Sequence, residues 1–427
     1  MGTTYVAEGW DLAAQKAIWA DCCRESLWTF VKEAWGLEHW PQKKGQHPLL
    51  TERIHKPICD WFERHAREWL ENRQRKNLMC LVPRFFGKTT FLTKAANAWL
   101  HLQDPELSTY IGSENIGRSM EFLEGITKVI DGSDPYSRFA HLYGVWYDKE
   151  RTWKREGVVH AARQGLARTD FSFGTWAVER GITGHHPDVG FLDDPTSYES
   201  IGAHSQWFRI VNDHVASLLP IFADNCLMVF VGTRYGDDDH FGKELREEGA
   251  ATWEGMPPPF TEVEGKPLIR DGGKWHVYFL AARDAEGVPT FPERCGEDFL
   301  KEFERKSNLR YFAQMMNDPS GSELTPLTRE QIDMCWVELK TVPKQLRIVI
   351  TMDTAFKSET RIAQGDESVM QVWGLARDGS GDAYYLEGYS SNVWKAEEFL
   401  EKLVSLIQKY QRGGWRISYL IDEKACF

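Results

Sequence analysis

Long hydrophobic runs are scarce in this sequence, and paired cysteines are missing. The longest apolar stretch, around residues 227–231, is far too short to cross a bilayer. The N-terminus lacks the basic-then-apolar pattern of a signal peptide. The eight cysteines form no C-x-x-C pair, which argues against a disulfide framework and against a zinc site. These absences predict a cytosolic protein with reduced, mostly buried thiols.

The composition is that of a folded globular protein. The chain has 427 residues, enough for two or three domains that each bury a core. Its formal net charge is −12, with 42% hydrophobic and 13% aromatic residues. An acidic total argues against a protein that coats nucleic acid with its whole surface. A motor that grips a backbone at one place needs only a local basic patch, so DNA binding stays open.

Hydrophobic periodicity divides the chain into four predicted regions. Residues 1–76 are predicted to be helical, because apolar residues recur three and four positions apart. In residues 77–260, short apolar runs alternate with amphipathic segments, which is typical of a parallel sheet covered by helices. Residues 261–320 are predicted to be a lid or linker, and residues 321–427 a second domain. The predicted strands of the second region are residues 77–83, 108–113, 171–178, 188–193 and 226–233.

The stretch "LVPRFFGKTT", residues 81–90, ends like a phosphate-binding loop. A P-loop reads G-x-x-x-x-G-K-[ST], and Val82 stands where its first glycine would be. The stretch follows a predicted strand and opens an amphipathic helix, whose N-terminus presents unpaired N–H groups to a phosphate. We expect Lys88 to neutralise the β- and γ-phosphates and Thr89 to hold Mg²⁺. The other predicted nucleotide contacts in the loop are Arg84, Phe85, Phe86, Gly87 and Thr90.

Arg84 adds a second cation to this loop, where it could sit over the γ-phosphate. The alternative interpretation is a chance G-K-T in a strand-to-helix turn.

Two later predicted strands also end in polar residues. In "DVGFLDDPTS", Asp193 is predicted to join the Mg²⁺ shell, and Asp194 to orient or deprotonate the attacking water. In "VFVGTRYGDDDHFG", a strand delivers Thr233 and Arg234 to the same carboxyl edge, where Thr233 could sense the γ-phosphate. The alternatives are an acidic turn and a Gly- and Asp-rich turn. Residues 237–239 are interpreted as a solvated loop rather than a metal site.

The C-terminal part, residues 346–425, predicts three strands, a helix over 393–412 and a fourth strand. This is the order at the front of an RNase H-like fold, in which the first and fourth strands are parallel neighbours. Asp353 and Asp422 would then meet at one edge, with Asp366 as a further metal ligand. Two divalent cations between such carboxylates can stabilise the attacking and leaving oxygens of a phosphodiester.

Together these stretches resemble the large terminase subunit of tailed bacteriophages. "PRFFGKTT" is similar to the family's altered Walker A motif, in which an arginine stands inside the loop. "GITGHHPDVGFLDDP" resembles its Walker B region, and "VGTRYGDDDHFG" its coupling motif. "YFAQMMNDPSG" resembles the segment that joins motor to nuclease, and "DTAFKS" and "LIDEKA" resemble nuclease motifs. The matching order covers residues 80–425.

This resemblance implies an α/β protein with a P-loop (ASCE-type) ATPase domain, built on a mainly parallel sheet and followed by an RNase H-like nuclease domain. It implies ATP-driven translocation of viral double-stranded DNA into a procapsid, coupled to Mg²⁺- or Mn²⁺-dependent cutting of concatemeric DNA. The catalytic residues it implies are Arg84, Asp194 and Thr233 in the motor and Asp353 and Asp422 in the nuclease.

The resemblance also implies partners and a location. The partners are double-stranded DNA, the portal protein, the small terminase subunit and neighbouring copies in a ring, expected to be a pentamer. The location is the host cytoplasm, transiently on the procapsid and outside the mature virion. An arginine finger from a neighbouring copy is expected in such a ring. The candidates are Arg138, Arg163 and Arg180.

The sequence departs from the family's pattern at two places. Asp194 stands where many related motors have glutamate, and the chain stops at Phe427, before the segments that complete the family's nuclease domain. We therefore expect a C-terminally truncated and incomplete nuclease. The alternatives are a helicase- or repair-type ATPase-nuclease, or a non-catalytic capsid or portal assembly protein with a degenerate nucleotide site.

Overall fold

A computed structural model gives the fold of the chain as two compact units, Met1–Thr328 and Arg329–Phe427. It describes residues 12–39, 50–165, 167–178, 184–197, 207–218, 220–222, 224–236, 239–247, 268–284, 286–318, 334–338, 341–343, 345–353, 368–377, 380–391, 394–413 and 416–421.

The first unit begins with helices and carries further helices between its strands. Its described α-helices are α1 (Leu12–Glu25), α2 (Leu27–Thr29), α3 (Glu52–Asn72), α4 (Asn97–Gln103), α5 (Ile116–Ile130), α6 (Phe139–Tyr143), α7 (Trp207–Leu218), α8 (His240–Glu247), α9 (Glu297–Lys306) and α10 (Asn308–Tyr311). Shorter helical segments are π-helical at Phe30–Ala34, Thr89–Ala96 and Phe312–Met316 and 3₁₀ at Leu37–His39. Among the described helices, none is both long enough and apolar enough to cross a membrane.

An eight-stranded sheet forms the centre of the first unit. Its strands are β1 (Lys76–Leu81), β2 (Thr109–Ser113), β3 (Gly157–Val158), β4 (Phe173–Ala177), β5 (Val189–Asp193), β6 (Leu227–Gly232), β7 (Leu268–Arg270) and β8 (His276–Phe279). Their order is β3-β4-β2-β5-β6-β1-β8-β7, and all neighbours from β4 to β8 are parallel. The short edge strands β3 and β7 are antiparallel to their neighbours. The predicted α/β class with a mainly parallel sheet is confirmed.

Five strands lie where the apolar runs predicted them, and three others, β3, β7 and β8, lie outside those runs. β8 falls in the range assigned to a lid or linker, yet it pairs in parallel with β1. Its residues Val277, Tyr278 and Phe279 are almost fully buried, so this segment belongs to the core of the sheet. Gly- and Pro-rich neighbours on its N-terminal side conceal this run in the sequence.

One apolar core holds the first unit together, and buried aromatic side chains fill much of it. Trp69, Trp99, Trp176 and Trp275 are almost fully enclosed. Seven cysteines are described, all are free thiols, and five of them are buried. The prediction of reduced, mostly buried cysteines is therefore confirmed for the described part of the chain.

The described residues of the second unit form a small sheet and one long helix. Its elements are β9 (Leu346–Asp353), β10 (Ser368–Ala376), β11 (Ala383–Ser391), α11 (Ala396–Arg412) and β12 (Arg416–Ile421). The strand order is β11-β10-β9-β12, with β12 parallel to β9 and the other pairs antiparallel. The predicted element order and the parallel pairing of first and fourth strands are confirmed, and the RNase H-like assignment stays a prediction.

Candidate functional site

The segment after β1 is a tight loop whose entry does not need a glycine. Val82 is fully buried, and its N–H donates to the Gly232 carbonyl at 3.3 Å, so it prolongs β1 beside β6. Gly87 has φ +76°, and a Cβ there would lie 2.4 Å from the Phe91 ring. Phe85 has φ +72°, a strained value for a residue with a side chain. The loop therefore needs its second glycine and tolerates valine at the first position.

A buried histidine on α3 fixes the backbone of the loop through a hydrogen bond. His55 Nε2 lies 3.2 Å from the Phe86 carbonyl oxygen, and Nδ1 lies 2.9 Å from the Thr51 nitrogen. Burial lowers the pKa of His55 to about 4, so at pH 7 a neutral ring donates from Nε2 and accepts at Nδ1. The Phe86 ring packs against Phe291 in the core, so this predicted nucleotide contact turns its side chain away from the cavity.

The start of the next helix meets the end of β5. We call this helix the P-loop helix; it consists of the π-helical segment Thr89–Ala96 followed by α4. Lys88 is the N-cap residue of this helix and is 6% exposed. Thr93 donates its hydroxyl to Asp193 Oδ2, and Thr89 also hydrogen-bonds the Asp193 carboxyl group. The structure thus brings together three residues that the sequence placed in one site, Lys88, Thr89 and Asp193.

Asp193 is a fully buried carboxyl group with one oxygen that can still accept a ligand. Burial, and then the charge of Asp194, raise the pKa of Asp193 to about 6, although Lys88 opposes the shift. Its Oδ1 has no hydrogen-bond partner among the described residues. Mg²⁺ is bound through oxygen ligands, usually one or two carboxylates together with substrate phosphates. The Thr89 hydroxyl and the Asp193 carboxylate fit that requirement.

Asp194 lies between two cations. Its Oδ2 is 3.3 Å from Lys88 Nζ and 3.7 Å from an Arg118 guanidinium nitrogen. Arg118 belongs to the first turn of α5, which starts where β2 ends. The backbone of Asp194 has φ +43°, and its N–H donates to the Val231 carbonyl at 2.9 Å. Backbone strain of this kind is concentrated at functional sites.

A small cavity of about 80 Å³ opens at this edge of the sheet. Full small-molecule pockets measure roughly 300–1,000 Å³, so this cavity has the size of the phosphate end of a nucleotide. Three of the lining side chains are cationic and one is a carboxylate, which favours a multiply charged anion. The lining residues are Arg84, Lys88, Arg118, Asp194, Thr196, Ser197, Thr233, Tyr235 and Gln314.

The opposite wall of the cavity is a chain of hydrogen bonds that includes the predicted residues Arg84 and Thr233. Gln314, in the segment Phe312–Met316, accepts the Arg84 backbone N–H at 2.8 Å and one guanidinium N–H at 3.4 Å. Its side-chain amide donates to the Tyr235 hydroxyl at 2.7 Å. Burial raises the pKa of Tyr235 to about 12, and its hydroxyl is also bonded to Thr233.

The interpretation of residues 237–239 as a solvated loop is wrong for Asp239. This residue is 2% exposed and accepts from Arg234 Nε at 3.0 and 3.1 Å. The N–H groups of Tyr235 and Gly242 donate to it as well, at 2.7 and 2.8 Å. These donors compensate the desolvation of the carboxylate. The ion pair between Asp239 and the Arg234 guanidinium also fixes the loop. Residues 237 and 238 lie outside the described residues.

The three arginine-finger candidates differ in their surroundings. Arg163 is 1% exposed and donates to the Asp170 carbonyl at 2.6 Å, so its guanidinium cannot reach into a neighbouring copy. Arg138 has a half-exposed side chain that pairs with Glu33 at 3.3 Å. Arg180 lies outside the described residues.

The predicted nuclease residues belong to the second unit. Asp353 is the last residue of β9 and is exposed. Asp366 and Asp422 lie outside the described residues, so their proposed association with Asp353 stays a prediction.

Sequence reasoning missed several polar residues of the site, and three of them had a readable signal. Glu114 follows β2 directly, as Asp194 follows β5, and Arg118 comes one helical turn later. Thr93 lies one turn after Thr89 on the same helix. Gln314 had no local signal, because its approach to Arg84 depends on tertiary structure.

Replacing Asp193 with asparagine is expected to stabilise the nucleotide-free protein at pH 8 by about 1–2 kcal/mol. The pKa of Asp193 is raised from 3.8 to about 6, so its ionisation above pH 6 opposes folding. One pKa unit corresponds to about 1.4 kcal/mol, and part of this is offset by a weaker bond to Thr93. The gain should disappear below about pH 4. Urea unfolding at pH 8 and pH 4, with exposed Asp60→Asn as control, tests this; a less stable variant at pH 8 contradicts it.

Comparisons with known proteins give structural likenesses only. No protein-family profile and no curated protein sequence matches the chain. The large terminase of a thermophilic bacteriophage is similar over 88% of this chain and 78% of its own, with 12% identity and TM-score 0.37. The same protein in complex with ATP-gamma-S gives 11% identity and TM-score 0.36, over 88% of this chain and 77% of that one. A mutant of the large terminase ATPase domain of Thermus phage P74-26 covers 58% of this chain and 88% of that one, with 15% identity and TM-score 0.33. TM-scores of this size do not establish a common fold, so the assignment of function depends on the residues of the site.

Proposed function

We propose that the first unit binds and hydrolyses ATP at the carboxyl edge of β1, β5 and β6. One observation carries this proposal. Lys88, at the N-terminus of the P-loop helix, and the acid-tipped end of β5 meet at a cavity lined by three cations. A helix N-terminus with a lysine and an adjacent buried carboxylate is suited to a phosphate chain with its metal ion.

Each residue of the site then has a role in phosphoryl transfer. Lys88 and Arg84 neutralise charge on the phosphate oxygens. Thr233 lines the same cavity, so the loss of the terminal phosphate would change the surroundings of its side chain. Thr89 and Asp193 would hold Mg²⁺, which supplies charge neutralisation of the phosphates when it is bound. Because catalysis of this reaction is mainly positioning and electrostatics, a rigid cationic cavity is the feature that matters.

The test is phosphate release from ATP by the purified full chain, in Mg²⁺ and in excess EDTA, with and without double-stranded DNA. We expect turnover that requires Mg²⁺. The absence of any turnover above buffer at saturating ATP would contradict the proposal and favour a non-catalytic assembly protein. Equilibrium binding of a fluorescent ATP analogue, measured in parallel, separates a chain that binds without hydrolysis from one that does neither.

We further propose that this ATPase drives viral double-stranded DNA into a procapsid through the portal, as one copy in a ring. The support for this step is the order of the three motifs and of the connecting segment "YFAQMMNDPSG" in the sequence. Protection of DNA from DNase in the presence of portal-bearing procapsids and ATP is the measurement. A packaging motor needs the portal, whereas a helicase- or repair-type enzyme would unwind duplexes without it.

A metal-dependent endonuclease in the second unit is the remaining part of the proposal. Its support is the parallel pair β9 and β12, which places Asp353 at a strand end. Plasmid nicking with Mn²⁺ that disappears in Asp353→Ala is the expected result. Nicking that is equal in both proteins would assign the cleavage to a contaminant.

A further inference from the structure

A second carboxylate lies at the same edge of the sheet as Asp194. Glu114 follows β2 directly, and β2 is the parallel neighbour of β5. The register pairs Gly112 with Leu192, so two residues later Glu114 stands level with Asp194 along the strands. Both residues leave strands whose carboxyl ends meet at the ligand-binding edge.

The two carboxylates, Asp194 and Glu114, differ in the groups that they contact. Asp194 Oδ2 is shared by Lys88 and Arg118, at 3.3 and 3.7 Å. This single oxygen therefore holds both cations in place. Asp194 is also held in a left-handed backbone conformation, with φ +43°. These constraints suit a residue that positions cations better than one that receives a proton.

Glu114 has no cation of the described residues within ion-pair distance. Its Oε1 accepts a hydrogen bond from the Ser197 hydroxyl at 3.0 Å, and Ser197 lines the cavity together with Asp194. The half-buried glutamate therefore stands beside the phosphate cavity, joined to it by one hydroxyl. The backbone after it is fixed, because the Asn115 side chain caps α5 by accepting the Arg118 N–H at 3.0 Å.

We propose that Glu114 is the catalytic base of the ATPase reaction and that Asp194 positions Lys88 and Arg118. The inference rests on the proposed ATP hydrolysis. A water oxygen forms a bond to the γ-phosphorus, and the bond from that phosphorus to the β,γ-bridging oxygen breaks, leaving its electron pair on ADP. The water proton passes to the Glu114 carboxylate and then to inorganic phosphate, so ADP and phosphate are the products.

The test compares Glu114→Gln with Asp194→Asn and with Glu121→Gln, a matched change at an exposed position of α5. Glutamine keeps an oxygen for the Ser197 hydroxyl but cannot take the proton. General-base catalysis contributes about 10²–10⁴-fold, so we expect kcat of Glu114→Gln to fall by at least about 100-fold. Its affinity for ATP should stay within about twofold, and unhydrolysed ATP should remain on the protein in single-turnover experiments. Glu121→Gln should match the unchanged protein.

The outcomes separate this inference from the proposed function. If the unchanged protein hydrolyses ATP and Glu114→Gln does so at the same rate, the base is not Glu114, while the ATPase proposal stands. If Asp194→Asn alone abolishes turnover with ATP still bound, Asp194 is the base and the inference is wrong. If the unchanged protein has no turnover, both proposals fail. Should Glu114→Gln not fold, Glu114→Asp serves instead, because it withdraws the carboxylate by one methylene and should also lower kcat without weakening ATP binding.

Discussion

Replacing Lys88 with alanine is expected to lower ATP turnover by about 10²–10³-fold, the usual loss when one preorganised charge-stabilising group is removed. Lys88 is almost fully buried, occupies the N-cap position of the P-loop helix and pairs with Asp194 at the cavity. In the proposed site its ammonium group meets the β- and γ-phosphates. Because the same charge is present in ground and transition states, we expect weaker ATP binding as well as a lower kcat. Steady-state phosphate release and nucleotide titration measure the two effects.

The matched control is Lys128→Ala. Lys128 lies exposed on α5 and pairs with Glu124, far enough out for its loss to leave the cavity unchanged. Removing Lys88 also takes away a charge that lowers the pKa of Asp193, so folding of the variant has to be checked by thermal melting. A folded Lys88→Ala protein with unchanged turnover would show that the hydrolysis takes place elsewhere, and the proposed site would be wrong.

The second large effect concerns stability. Asp239→Ala is expected to reduce the free energy of unfolding by about 3–5 kcal/mol, the cost of leaving one partner of a buried ion pair alone. Arg234 is fully buried, and its Nε donates to both Asp239 oxygens. The backbone N–H groups of Tyr235 and Gly242 also lose their acceptor. Tyr235 lines the cavity, so the variant should lose nucleotide affinity at temperatures where it is still folded.

Urea denaturation of the first-unit transition measures this loss. Glu293→Ala is the control, because Glu293 pairs with Arg53 at the surface and such pairs contribute only about 0–1 kcal/mol. The double change Arg234→Met with Asp239→Leu should recover part of the stability, since it removes both buried charges together. A cost below about 1 kcal/mol for Asp239→Ala would mean that water compensates the guanidinium.

The sequence predicted those parts of the site that depend on strand ends. Apolar runs marked β1, β5 and β6, and parallel strands that end at one edge bring their following residues together. On that basis the sequence alone predicted that Lys88, Thr89, Asp193 and Thr233 lie near one another. The same rule applied to β2 would have added Glu114.

Other features depend on tertiary contacts and could not be predicted in this way. Asp239 follows two other acids in a Gly-rich stretch, a pattern that is typical of a solvated turn. Its ion pair with the buried Arg234 depends on the fold and has no local signal. β8 lies outside the runs that marked the sheet, although its burial places it in the core. The contact of Gln314 with Arg84 joins positions 230 residues apart, and no local pattern encodes it.

This last contact ties a cation of the cavity to helix geometry. Gln314 sits in a π-helical turn, which carries one more residue than an α-helical turn. Converting Phe312–Met316 to α-helical geometry would displace Gln314 along the helix axis by about 1.5 Å, the rise of one residue. A shift of that size would take Gln314 out of hydrogen-bond distance of Arg84 or of Tyr235, so the two bonds depend on the π-helical geometry of this segment.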